Sequence, residues 1–255
     1  MKVAIFGAAG WLGRAFLANA AGRHELRACD IGPEAWDAWQ DIDGEWNAGE
    51  KVYGDITNSE AVAQALEGVD GILHMILYRT PPGLSPDEAI DKSILIYLKG
   101  LWNVLEGAQQ RGIRRVVHVG SCQTKHRDGT FFSSEVRRHD AGLYAVCKRL
   151  QEEMCRQFYE AYGLSTIVLR PDYIVDTRIG VGRQREELKG MGMGWVCRHD
   201  LAEACRLALE SEKVEHDVLH VVGTPGADEH CNVGRTREVL GLEFKGDYEK
   251  YTQAK

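Results

Sequence analysis

The sequence predicts an α/β protein: a doubly wound parallel sheet with helices on both faces and a small C-terminal lobe. Three observations carry that prediction. Short apolar runs of strand length alternate with helix-length amphipathic runs, the connections between them are brief, and a glycine-rich turn joins the first run to the first helix. With 255 residues the chain can bury one sizeable core.

"KVAIF" at 2–6 reads as the first strand, and after "GAAGWLG" comes a helix over "RAFLANAAG". "ELRACD" and "KVYGD" follow as strands, and "NSEAVAQALEG" as a helix capped by Asn58 or Ser59. "VDGILHMI" is a buried strand, and 87–112 reads as one long helix with apolar residues at helical spacing. "RRVVHVGS" is a strand, 143–163 a second long helix, and "STIVLRP" a further strand. "RHDLAEACRLALES" is a helix capped near His199-Asp200, and "DVLHVVG" returns as a strand. About 30–50, 78–88, 122–142, 176–194 and the tail after Gly223 are irregular, which makes them candidates for lining a site. The expected division is a nucleotide-binding domain over 1–175, to which 199–223 returns. Residues 176–198 and 224–255 form the small substrate-binding lobe.

The composition, 44% apolar and 27% charged, is that of an ordinary globular protein. A net charge of −7 argues against nucleic-acid binding, and no apolar run is long enough to cross a bilayer. Met1-Lys2 leads directly into a strand with no signal peptide, so the expected compartment is the cytoplasm. Seven cysteines without a CxxC pair fit a reducing compartment. His216 and His220 lie four apart on a strand, where that spacing does not converge, so no metal is expected.

Gly7, Gly10 and Gly13 stand between the first strand and the first helix. Glycines there let the backbone approach a pyrophosphate, whose charge suits the N–H groups of a helix N-terminus. Glycines also end strands for steric reasons alone, but the strand–loop–helix context points to a dinucleotide. Asp30 closes the second strand about 20 residues beyond the loop, where a carboxylate accepts from a ribose diol and repels a 2′-phosphate. That favours NAD over NADP; a solvated turn aspartate is the plainer alternative. Asp55, after the third strand, is compatible with an adenine contact or with a turn.

Tyr144 and Lys148 lie four apart near a helix start and share one face. An ammonium nearby stabilises a phenolate, so such a tyrosine can take a proton from a substrate hydroxyl as hydride leaves the carbon. The spacing is common by chance. Ser121, ending the strand before, adds a hydroxyl for the same substrate oxygen.

With these motifs the chain resembles the extended short-chain dehydrogenase/reductases, the NAD-dependent epimerase/dehydratase group with its Rossmann fold. The resemblance runs through "GAAGWLG", Asp30, "GDI" at 54–56, "GLWNVLEGA" at 100–108, "RVVHVGS", "YAVCK", "LRP" and "HDLAEACRLAL". It implies Ser121, Tyr144 and Lys148 as a catalytic triad. It implies NAD contacts at Gly7, Gly10, Trp11, Leu12, Gly13, Asp30, Asp55, Ile56, Met75, Tyr144, Lys148 and Pro171. It also implies a homodimer through the helices at 87–110 and 143–162. Two departures concern the nicotinamide side: Tyr97 stands where the family usually has asparagine, and Ile76-Leu77 replace a small pair.

Within that family the chain is similar in form to the short uronate dehydrogenases, sharing "GLY-x-V-x-K" and a tail like "GRTREVLGLEF" from Gly234. Cys122 and Gln123 replace the Asn-His pair expected there after the serine. Arg178, Arg183 and Arg185 crowd "TRIGVGRQR", and guanidinium groups suit a carboxylate or phosphate. With little chain left to enclose a nucleotide, the expected substrate is a small sugar or sugar acid, held by Ser121, Cys122 and these arginines. A sugar-nucleotide epimerase or dehydratase is the alternative. A non-catalytic NAD(P)-sensing protein is a weaker one, because the chain keeps its acid–base groups.

Overall fold

The computed structural model describes residues 1–122 and 142–252; Gln123 and the rest of 123–141 lie outside them. In chain order the strands are β1 (Lys2–Phe6), β2 (Glu25–Asp30), β3 (Glu50–Tyr53), β4 (Gly71–His74) and β5 (Arg115–Val119). They continue as β6 (Ser165–Arg170), β7 (Tyr173–Asp176), β8 (Val181–Gly182), β9 (Trp195–Cys197) and β10 (His216–His220). The helices are α1 (Trp11–Ala20), α2 (Gln40–Asp43), α3 (Ser59–Ala65), α4 (Pro86–Ile94), α5 (Gly100–Gln110), α6 (Leu143–Tyr162), α7 (Arg198–Glu210) and α8 (Val233–Leu240).

Seven strands form one parallel sheet in the order β10-β6-β5-β4-β1-β2-β3. This is the doubly wound fold expected from the sequence. Alternation along β1 shows how it is held. Val3 and Ile5 enter the core under α1, α7 and α8, while Ala4 and Phe6 enter the opposite core under α3, α5 and α6. A strand covered on both faces has no polar side, which is why these runs are continuously apolar.

The strand order reverses between β1 and β4, opening a crevice at their carboxyl ends. Beyond that crevice β7 pairs with β8 and β9 in a small second sheet; only β8 lies wholly within the stretch expected to be irregular, 176–194, and no strand was expected over β7 or β9. Strands of two to four residues give too short a period to read.

Other differences are local. The region 30–50 holds a 3₁₀ helix, Pro33–Trp39, and α2, with Trp36 and Trp39 buried. The expected long helix starts at Pro86 under a Ser85–Glu88 capping box and carries a π-helical turn, Leu95–Lys99. Asn58, not Ser59, caps α3 by accepting from the amides of Glu60 and Ala61. The tail contains α8, capped by Asn232, with Val239 and Leu240 in the α1–α7 core.

The expected cap of α7 near His199-Asp200 is corrected: Cys197 is the N-cap, and Asp200 lies inside the helix. Its carboxylate is committed elsewhere. It accepts from the amides of Lys245 and Gly246 at 2.9 Å each and from the Tyr248 hydroxyl at 3.1 Å. The same hydroxyl accepts from the Cys197 amide at 2.7 Å. One buried carboxylate thus fastens the tail to the start of α7. Asp200→Ala leaves these donors without their acceptor and should cost roughly 2–4 kcal/mol. Urea denaturation measures it, and an unchanged midpoint would show that the tail is held by apolar packing alone.

Candidate active site

A cavity of about 530 Å³ occupies the crevice, lined from one end by Gly7, Gly10, Trp11, Leu12, Gly13, Asp30, Asp55 and Ile56. Met75, Ser121, Tyr144, Lys148, Pro171 and Arg183 line the rest. The local backbone explains why the loop is glycine-rich. Gly7 has φ +89°, and a Cβ on it would press on the Met75 carbonyl at 3.3 Å. A Cβ at Gly13 would lie 2.4 Å from the carbonyl oxygens of Gly7 and Ala8, which no side chain tolerates. α1 starts at Trp11 with no side-chain cap and no acid in its first turn, so its first amides face the cavity open to an anion. This cradle and the acid at Asp30 fit a dinucleotide.

One Asp30 oxygen accepts from the Ala9 amide and the other from Ile31, both at 2.9 Å. Each oxygen retains a further lone pair for a ribose. The wall beside it is the segment 33–43, which three arginines hold. Arg14 donates to the carbonyls of Trp36 and Gly44. Arg198, its guanidinium 3.9 Å from the Trp11 ring centroid, forks onto Asp43 and also binds Asp176. Arg185 binds Asp41 and the Ala38 carbonyl and lies over Trp39.

At the other end β5 brings Ser121 and α6 brings Tyr144 and Lys148 to the cavity. Tyr144 hydrogen-bonds to Ser121. Burial raises its pKa, opposed by the Ser121 bond and the Arg183 charge. Lys148 is 3% exposed and donates to the Val119 carbonyl at 3.0 Å, with its Nζ 5.9 Å from the Tyr144 ring centroid. Burial lowers the Lys148 pKa to about 8, with Glu152 opposing the shift.

Several neighbours of Lys148 went unread in the sequence. Glu152, one turn further along α6, is held by a buried fork from Arg170 at 2.8 and 2.5 Å. His74 and His118, opposite each other on β4 and β5, are fully buried with their Nδ1 atoms 2.9 Å apart. Burial, then the Lys148 charge, lowers His74 to about 3, and His118 is likewise pushed well down. The i,i+4 spacing of Lys148 and Glu152 was a usable signal; histidines paired across strands leave none without the register.

The structure sorts the arginines. Arg183 lines the cavity over the Tyr173 ring. Arg79, which the sequence reading passed over, lines it too and donates to the Arg183 carbonyl at 3.2 Å. Arg185 is turned to Asp41, and Arg178 is exposed outside the cavity. Cys122 is buried behind the wall, its thiol on the Arg170 carbonyl, so its expected place against substrate is corrected.

Residues 3–221 match the NAD dependent epimerase/dehydratase family, and the chain belongs to it. Membership makes it an NAD-dependent enzyme of the dehydrogenase/epimerase class. Among curated relatives, the uronate dehydrogenase of Pseudomonas putida is 24% identical over 222 residues, covering 86% of this chain and 75% of that one. The NAD-dependent glucose-6-phosphate dehydrogenase of Haloferax volcanii is 23% identical over 270 residues, covering 98% and 95%. A short-chain dehydrogenase/reductase superfamily protein from Agrobacterium tumefaciens, solved with bound NAD, superposes with TM-score 0.78 at 17% identity, covering 98% and 94%. That last likeness establishes the shared fold.

The Lys148 pKa gives a test by linkage. Between about pH 8 and 10.5 the unfolded chain keeps a proton that the folded one has released, so this group's contribution to stability rises with pH across that window. Below it, the buried charge is a cost. Lys148→Met should therefore match or exceed the wild type at pH 7, by roughly 1–3 kcal/mol, and the advantage should shrink toward pH 10. Parallel stability–pH curves for the two proteins would refute the depressed pKa.

Proposed function

We propose that this protein is a cytoplasmic NAD-dependent dehydrogenase that oxidises a hydroxyl-bearing carbon of a small sugar or sugar acid to a lactone or ketone. The observation that carries the reading is the convergence of Ser121, Tyr144, Lys148 and Arg183 on the cavity that the glycine loop opens. The relatives named for uronate and glucose 6-phosphate support the substrate class. Seven buried, unpaired cysteines support the compartment.

Gly7, Gly10, Gly13 and the first amides of α1 hold the pyrophosphate, and Asp30 holds the adenosine ribose. Trp11, Leu12, Asp55, Ile56, Met75 and Pro171 complete the walls of that site. NAD supplies the hydride acceptor. Ser121 holds the substrate hydroxyl, Tyr144 takes its proton, and Lys148 binds the nicotinamide ribose while its charge favours the phenolate. Because burial holds the phenol up, its ionisation depends on positive charge close by. Arg183, with Arg79 at its carbonyl, reads a carboxylate or phosphate.

The assembly we propose is a homodimer through α4, α5 and α6. Ile90, Ile94, Leu95 and Trp102 are exposed there beside Val146 and Leu150 of α6. Light scattering at micromolar concentration should give twice the 28.5 kDa of the chain; a monomer would refute it.

Three results test the enzymatic reading. Uronates, sugar phosphates, hexoses and UDP-sugars are screened for NADH formation, and the small acids should respond. Tyr144→Phe should lower kcat/KM by about 10²-fold or more, and an unaffected rate would remove Tyr144 from its role. Calorimetry should show NAD bound more tightly than NADP; equal affinities would take that role from Asp30. Turnover of UDP-sugars without net NADH would establish the epimerase instead.

A further inference from the structure

We propose that Tyr97 is a positioning residue of this active site. Its hydroxyl clamps Tyr78, between β4 and α4, and its ring forms the floor on which Lys148 and Tyr144 rest. The inference builds on the dehydrogenase reading and concerns a residue that touches no substrate.

Tyr97 sits in the π-helical turn Leu95–Lys99 and is 3% exposed. A π turn holds one residue more than an α turn and frees backbone groups from the regular ladder. The Tyr97 carbonyl accepts instead from Gln151 Nε2 at 2.8 Å, tying the turn to α6 three residues beyond Lys148. The turn thus projects Tyr97 into the angle between α6 and the end of β4.

The hydroxyl makes two hydrogen bonds to one residue. It accepts from the Tyr78 amide at 3.1 Å and donates to the Tyr78 carbonyl at 3.0 Å. Tyr78 belongs to no regular element, so these bonds replace a ladder. Its neighbours Leu77 and Arg79 both line the cavity. Fixing the peptide groups on either side of Tyr78 fixes where those two side chains start.

The ring serves the acid–base pair. It meets the Tyr144 ring edge-on, with centroids 5.9 Å apart and planes at 70°. Lys148 Nζ lies 5.5 Å from its centroid. The ring face attracts the ammonium without offering a proton acceptor, so the charge is steadied and stays available to its neighbours. Tyr97 is no second acid–base group: its hydroxyl is spent on Tyr78, and burial raises its pKa.

The two roles separate by substitution. Tyr97→Phe keeps the ring and removes the clamp; Tyr97→Leu removes both. Hydrogen–deuterium exchange at the Tyr78 amide reads the clamp without any substrate, and Tyr97→Phe should exchange there about tenfold faster. Kinetics with NAD and D-glucuronate or D-glucose 6-phosphate read the rest. Tyr97→Phe should raise the sugar KM about 5–20-fold with a smaller change in kcat, as loss of substrate positioning does. Its pH profile should follow the wild type. Tyr97→Leu should in addition move the limb on which kcat/KM rises with pH to higher pH, because a less stabilised ammonium favours the phenolate less. Unchanged exchange or an unchanged KM in Tyr97→Phe overturns the clamp. A pH limb that stays put in Tyr97→Leu, or moves equally in both variants, overturns the floor. If the wild type oxidises neither sugar, the dehydrogenase reading fails for these substrates, and the exchange result alone decides the clamp.

Discussion

The rest of the active site is arranged around one buried charge, the Lys148 ammonium. Removing an ion from water costs several kcal/mol unless the interior answers it. Here the answer is partial by construction. Val119 supplies one carbonyl, two phenol rings lie nearby, and Glu152 sits one turn away. Arg170 occupies both oxygens of Glu152, so that carboxylate supports the ammonium through its field without closing on it as an ion pair. A lysine fully paired with its own acid would have little left for a phenolate or a ribose. The same charge constrains β4 and β5. His74 and His118 face each other fully buried beside it, and a proton on either would set two cations in one dry space. They stay neutral, as packing and hydrogen-bonding groups.

The dinucleotide end follows a different logic, with charges spent on holding backbone. Asp30 fixes the Ala9 amide before any ribose arrives, so part of the glycine loop is already shaped. Arg198 is the first residue of α7, yet it lies against Trp11, the first residue of α1, and reaches Asp43 and Asp176. Through that buried guanidinium the second half of the chain fixes the wall beside the first. Asp200, two residues on, does the same for the tail.

What could be read from the sequence was whatever depends on local period and on contiguous motifs. Alternating strands and helices gave the doubly wound sheet, since each crossover forces the next strand parallel and both faces must be covered. Gly7 to Gly13, Asp30 and Ser121 were legible because strand ends carry them to one crevice, and Tyr144 and Lys148 because their i,i+4 spacing puts them on one face of a helix. The π turn at 95–99, the His74–His118 pair and the Glu152–Arg170 pair were not, because each depends on register or on an extra residue within a helix. The three neighbouring arginines at 178, 183 and 185 looked equivalent, and only the backbone sorts them.

That sorting has an energetic consequence. Arg185 is the one non-glycine residue with positive φ among the described residues, at 66°, a conformation that costs a side chain of its size and turns it toward Asp41. Arg183, two residues earlier, stays on the cavity. One short loop therefore reaches the cavity beside Tyr144 with one guanidinium and the wall of the dinucleotide end with the other. The ion pairs that hold this wall are not of equal strength. Arg185 and Asp41 are about half exposed, and the attraction within such a pair is weak and falls further with salt. The Arg198 fork on Asp43 is shielded, and breaking it strands a charge in the interior. The wall at 33–43 is thus pinned by two buried guanidiniums, Arg14 at the Trp36 carbonyl and Arg198 at Asp43, with the exposed Arg185–Asp41 pair a lighter contact between them.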